Sequence, residues 1–198
     1  MAFNLTPLPR PGLCLIPGYV AQQPETFLMQ GKELLSDKAS FLISHATQTG
    51  EAGTPFLQLR EDTKNRITFK TMDGVEVMSI LRDPHKWSGK SPEYRAVRAD
   101  GTEVWYLKLY RGLTRTEYQL QIPGANVQVE NKVQGQDKGI LLNGVPAATM
   151  SRHEMWKHMS RHDIVHVAPG MDILLALGVN WIRADKQKQD AKMIKAAT

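Results

Sequence analysis

The sequence predicts a mainly β fold: a closed antiparallel barrel of about twelve strands around a central C-terminal apolar α-helix. Three observations predict it. Short segments of alternating apolar and polar residues recur from Thr26 to Ala168, each with one face to bury. The dipeptides Asp73-Gly74, Asp100-Gly101 and Asn143-Gly144 separate neighbouring segments and supply the positive φ that tight hairpins need. The stretch MDILLALGVNWI, Met171 to Ile182, is apolar on every side at helical spacing, so water can cover none of it.

Taken in order, residues 1–24 hold five of the eleven prolines and read as an extended arm running over the surface. Strands are expected at Thr26 to Gln30, Ser40 to Ala46, Pro55 to Arg60, Arg66 to Met72, Val75 to Leu81 and Tyr94 to Arg98. Six more follow at Glu103 to Tyr110, Glu117 to Ile122, Asn126 to Val133, Lys138 to Asn143, Val145 to Ser151 and Asp163 to Ala168. The clearest is EYQLQI, where Tyr118, Leu120 and Ile122 alternate with Glu117, Gln119 and Gln121. A longer polar loop, DPHKWSGKSP, spans Asp83 to Pro92. The barrel domain thus covers residues 25–183, and a charged tail covers 184–198.

An all-apolar helix of twelve residues rises about 18 Å, too short to span a bilayer, so protein must enclose it. Closing the strands around it removes their unpaired edges and fills a lumen too wide for strand side chains alone. A two-sheet sandwich with the helix at one end is the competing arrangement, but it leaves one side of the helix wet.

Composition bounds the rest. Apolar residues at 41% and charged residues at 23% are ordinary for a folded chain of 198 residues. Of the net charge of +5, the segment from Arg183 to Thr198 contributes +3, leaving +2 for residues 1–182 and no basic stripe suited to nucleic acid. Cys14 is the sole cysteine, which excludes an internal disulfide and implies a reducing compartment. Prolines interrupt the only candidate leader, and no lipidation motif is present, so a cytoplasmic protein is expected, with peripheral membrane or nuclear residence left open.

Three segments carry a family resemblance: TFLMQGKELLSDKASFLISHATQTGEAGTPFLQL, ITFKTMDGVEVMSILRDPHKW and DIVHVAPGMDILLALGVNWI. The last is the most specific, a strand from Asp163 to Val167, a corner at Pro169-Gly170, Asp172, then the apolar helix. From about Thr26 to Ile182 the chain resembles the LURP-one-related (LOR) family of the tubby C-terminal-like superfamily, which includes the phospholipid scramblases. The resemblance implies a twelve-stranded barrel wrapped around that helix. It also implies action in defence, at membranes or on phosphoinositides, and it supplies no catalytic residues. The Trp87 loop, with SGKSPEY, and the GQDKG stretch depart from the family pattern.

Candidate sites divide by chemistry. His153, His158, His162 and His166 cluster as metal ligands would, but His153 and His158 are one residue too far apart for the HExxH helix, and solvated loop histidines are the favoured reading. No phosphate loop, dinucleotide fingerprint or nucleophile elbow occurs, and Cys14 lies in the arm without a partner motif. Neither a cofactor nor a resident metal is expected, nor an enzyme. The remaining candidates are basic: Lys108, Arg111 and Arg115 along YLKLYRGLTR, with Lys86 and Lys90 beside Trp87. They suit anionic phospholipid, with Trp87 or Tyr110 at the interface, although a solvated basic rim gives the same pattern. The expectation is a binding or scaffold module at anionic, phosphoinositide-bearing membrane. The alternative is a protein-interaction module in stress or defence signalling without a lipid ligand.

Overall fold

The computed structural model of the chain describes residues 5–32, 40–47, 49–83, 92–111, 116–153 and 162–197. Its strands are Glu25–Lys32 (β1), Ser40–Ala46 (β2), Ala52–Thr63 (β3), Arg66–Lys70 (β4), Glu76–Asp83 (β5) and Glu93–Arg98 (β6). Glu103–Arg111 (β7), Thr116–Gln121 (β8), Val127–Asn131 (β9), Lys138–Leu142 (β10), Val145–His153 (β11) and His162–Val167 (β12) complete them. Each strand pairs antiparallel with its neighbour in sequence, and β1 closes on β12 from Glu25 opposite Val167 to Gln30 opposite His162. The expected twelve-stranded closed barrel is what forms.

Alternation sorts the side chains as the pattern requires. Phe27 and Met29 of β1, Ile67 and Phe69 of β4, and Trp105, Leu107 and Leu109 of β7 are all buried. The helix Ile173–Ala197 (α1) follows β12 and runs up the lumen. Every residue from Met171 to Asn180 is buried. Its contacts reach opposite sides of the wall: Asn180 donates to Met29 Sδ at 3.1 Å, and Trp181 packs edge-on against Tyr94 at 6.1 Å. At Gly178 a Cβ would stand 2.9 Å from Trp105 Cζ2 and 3.2 Å from Ile80 Cδ1, so glycine lets the helix approach the wall. Each buried Leu or Ile of this helix contributes roughly 1.5–3 kcal/mol to the core.

The helix extends beyond its apolar stretch, and the arm is tied into the core. The helix continues as one element to Ala197, because Arg183 is buried and enters ion pairs with Asp163 at 2.9 Å and Asp137 at 3.4 Å. Its Nε also donates to Asn180 Oδ1 at 3.1 Å. Lys186, likewise buried, pairs with Asp190 one turn on. The arm runs over the surface, Cys14 among its exposed residues, but it is also anchored. Leu5, Leu8, Leu13 and Ile16 join the core at the end where α1 begins.

Asp172 organises that end. Its Oδ1 accepts the Leu175 N–H at 2.9 Å, as an N-cap does. Its Oδ2 accepts the N–H groups of Leu15 and Ile16 in the arm, each at 2.9 Å. The arm returns the favour: Tyr19 O accepts the Ile173 N–H at 2.8 Å, one of the donors a helix start leaves open. Gly12, at φ 73°, lies against Gly170, where a Cβ would come 2.4 Å from the carbonyl oxygen.

Three substitutions test this packing. Leu175→Asp buries an unpaired charge and is expected to abolish the cooperative thermal transition followed by circular dichroism, while Leu175→Met retains it. Arg183→Met strands the buried Asp163 carboxylate and is expected to lower the unfolding free energy in urea by about 3–5 kcal/mol. Gly12→Ala combines a clash with positive φ and is expected to cost about 2 kcal/mol or more in the same measurement.

Candidate functional site: the basic rim

Because the strands alternate in direction, connections after odd-numbered strands lie at one end of the barrel, where α1 also emerges. Those after even-numbered strands lie at the arm end. At the first, or upper, end the connecting sequences carry Lys38, Lys64, Lys86, Lys90, Arg115, Lys132, Lys157 and Arg161 against Glu33, Asp37, Asp137 and Glu154. The corresponding connections at the lower end carry Glu51, Asp73, Asp100 and Asp172 and no base. By sequence and strand parity the upper connections are net basic, Lys64 and Lys132 being the bases among the described residues, and the exposed acids of the lower connections are Glu51, Asp73 and Asp100. This asymmetry escaped residue-by-residue reading, although strand parity alone was enough to find it.

The predicted basic residues meet this rim unequally. Lys108 lies on the outer face of β7, with Nζ 3.0 Å from Glu93 Oε1 on β6 and 5.2 Å from the Tyr110 ring centroid. The hydrogen bond to Glu93 raises the Lys108 pKa, so the ammonium is retained but its charge is locally matched. Tyr106, on the same face, is pushed up to about 12, first by burial and then by Glu93. Arg111 ends β7 opposite Thr116. Lys86, Trp87, Lys90 and Arg115 lie outside the described residues. Their connections join β5 to β6 and β7 to β8, adjacent strands whose upper ends stand together. Tyr110 is exposed at 42%.

The histidines separate. His153 and His162 are main-chain register partners across β11 and β12, and His158 lies outside the described residues. His166 is four residues further along β12, about 13 Å from His162 at strand rise, and its Nδ1 is 2.9 Å from Thr26 Oγ1. Among the described residues no group of three His, Cys, Asp or Glu side chains is placed to hold a metal ion. Burial pushes the His166 imidazole down to about 4. Cys14 is exposed on the arm. Among the described residues no helix is long and apolar enough to cross a membrane.

No protein-family model matches the chain, and no curated protein matches it. A protein from Arabidopsis thaliana, solved by X-ray crystallography, has a related fold: TM-score 0.60 at 14% identity, covering 89% of this chain and 99% of that one. At that identity the likeness is one of architecture.

The low pKa of His166 has a definite sign. The unfolded chain takes up a proton near 6.5 that the folded barrel refuses until about 4, so stability is complete above pH 6.5 and falls as pH drops through that window. The loss attributable to this partly exposed ring is on the order of 1 kcal/mol after solvent screening. Urea titrations at several pH values are expected to show that slope flattened in His166→Gln.

Proposed function

We propose that the protein is a non-enzymatic binding or scaffold module of the LOR type, docking by its upper end on anionic, phosphoinositide-bearing membrane. What supports this reading is that the sequences connecting the strands at one end of the barrel are net basic. Each Lys or Arg near an anionic surface contributes about 1 kcal/mol, so several on one rim suffice for reversible attachment without an inserted segment. The exposed Tyr110 lies beside Lys108 at that rim and suits the headgroup level. The related barrel of the plant protein is compatible with a binding or scaffold module.

A second reading, a protein-interaction module in stress or defence signalling without lipid, draws support from the Lys108–Glu93 pair. That pair cancels much of the charge that lipid phosphate would need at β7.

Vesicle sedimentation at about 0.15 M salt separates the two. Phosphoinositide vesicles are expected to recover the protein and neutral vesicles to leave it in solution. The triple variant Lys86→Gln, Lys90→Gln, Arg115→Gln is expected to bind about a hundredfold more weakly, as three lost contacts of about 1 kcal/mol imply. Equal recovery on neutral and anionic vesicles would overturn the lipid reading. A partner captured equally well after charge reversal at Lys108, Arg111 and Arg115 would favour the second.

A further inference from the structure

The geometry points to a second binding surface: a groove along the joint between β8 and β9 that takes an extended, basic peptide segment of a protein partner. Every other joint of the barrel holds five or six register pairs among the described residues. This one holds a single pair, Tyr118 opposite Val129, and a bridge at the turn, Ile122 opposite Ala125.

The cause lies in the register. One step above the Tyr118–Val129 pair, Glu117 falls directly opposite Glu130, and both are exposed. Like charges facing each other across an antiparallel pair are destabilising, and here the strands part. In the gap is a cavity of about 520 Å³, with Tyr110, Glu117, Gln119 and Glu130 among its lining and Tyr118 and Lys138 further in. A second cleft of about 520 Å³ continues the line past the single pair toward the turn at Pro123. The opening is therefore elongated along the strands, the shape of a chain rather than of a compact ligand.

Charge selects the occupant. On the outer face, Lys108 is matched by Glu93 and Arg95 by Asp83, at 3.0 and 3.1 Å. Lys138 is 6% exposed, with Nζ 3.8 Å from the Tyr118 ring centroid and 2.6 Å from Asn131 Oδ1, so its charge is engaged beneath the mouth. Among the described residues Glu117 and Glu130 have no ion-pair partner. An arginine or lysine set between them relieves the repulsion that opens the joint. The exposed face of Tyr110 receives a second cation, and Gln119 offers an amide to the main chain. An extended segment pairs its own backbone with the strand edges that β8 and β9 do not offer each other, as in other strand additions.

The probe is a fluorescent peptide of about nine residues alternating Arg with Thr, titrated with the whole protein and followed by anisotropy. It is expected to bind at least about tenfold more tightly than the same peptide with Glu in place of Arg, and to lose most of its affinity when alternate backbone nitrogens are methylated. The double variant Glu117→Gln, Glu130→Gln is expected to melt no lower than the parent and to bind the arginine peptide about tenfold more weakly. Absence of saturable binding, equal affinity for the two peptides, indifference to methylation, or an unaffected double variant would each overturn the proposal. Sedimentation on phosphoinositide vesicles is expected to be unchanged in the double variant; a loss there would overturn the placement of this groove apart from the basic rim.

Discussion

A helix with no wet face obliges everything around it. Ile173 to Asn180 presents apolar surface through a full turn of the axis, and a single sheet, or two stacked sheets, covers only part of that circumference. Closure of β1 onto β12 follows from that constraint as much as from strand pairing. So does the glycine at 178, which sets the distance between helix and wall where Trp105 fills the lumen.

Two groups of charged side chains flank the buried stretch of the helix, one at Asp172 and one at Arg183. At the lower end one carboxylate, Asp172, serves the helix and the arm together. Burial raises its pKa, while the N–H groups of Leu175, Ile16 and Leu15 oppose that shift. Higher up, Arg183 draws Asp163, Asn180 and Asp137 around one guanidinium, converting what reads as the start of a charged tail into interior structure. Such pairs are costly to break and fix the register of the helix within the barrel.

What could be read in the sequence divides along the same physical line. Period-two alternation reports which face of a strand is buried, and Asp-Gly and Asn-Gly report where it turns, so the barrel and its axle were legible. Alternation says nothing about how firmly a strand holds its neighbour. EYQLQI has the cleanest pattern in the chain, yet β8 forms the weakest joint, because that depends on Glu117 meeting Glu130 across the register. The arm reads as extended, but its anchoring is hidden for a related reason: its prolines mask Leu5, Leu8, Leu13 and Ile16, whose burial depends on main-chain bonds to Pro169 and Gly170 far away in sequence. The basic rim was half legible. Lys108, Arg111 and Arg115 stood out as a run, but the larger asymmetry emerges only when alternating strand directions bring distant connections to a common end.

The central helix follows all twelve strands in the chain, and this order governs how the molecule can come into being. Synthesis delivers the wall first and the axle last, so the lumen-facing residues of the early strands have nothing to pack against while the chain is still growing. The joint between β1 and β12 unites segments separated by almost the whole domain, and its closure around α1 is a late, long-range event. Until then the strands carry exposed apolar faces and open edges, the state in which β proteins associate wrongly. The same all-round burial that makes the finished barrel sturdy thus leaves its newborn chain dependent on protection until the last helix arrives.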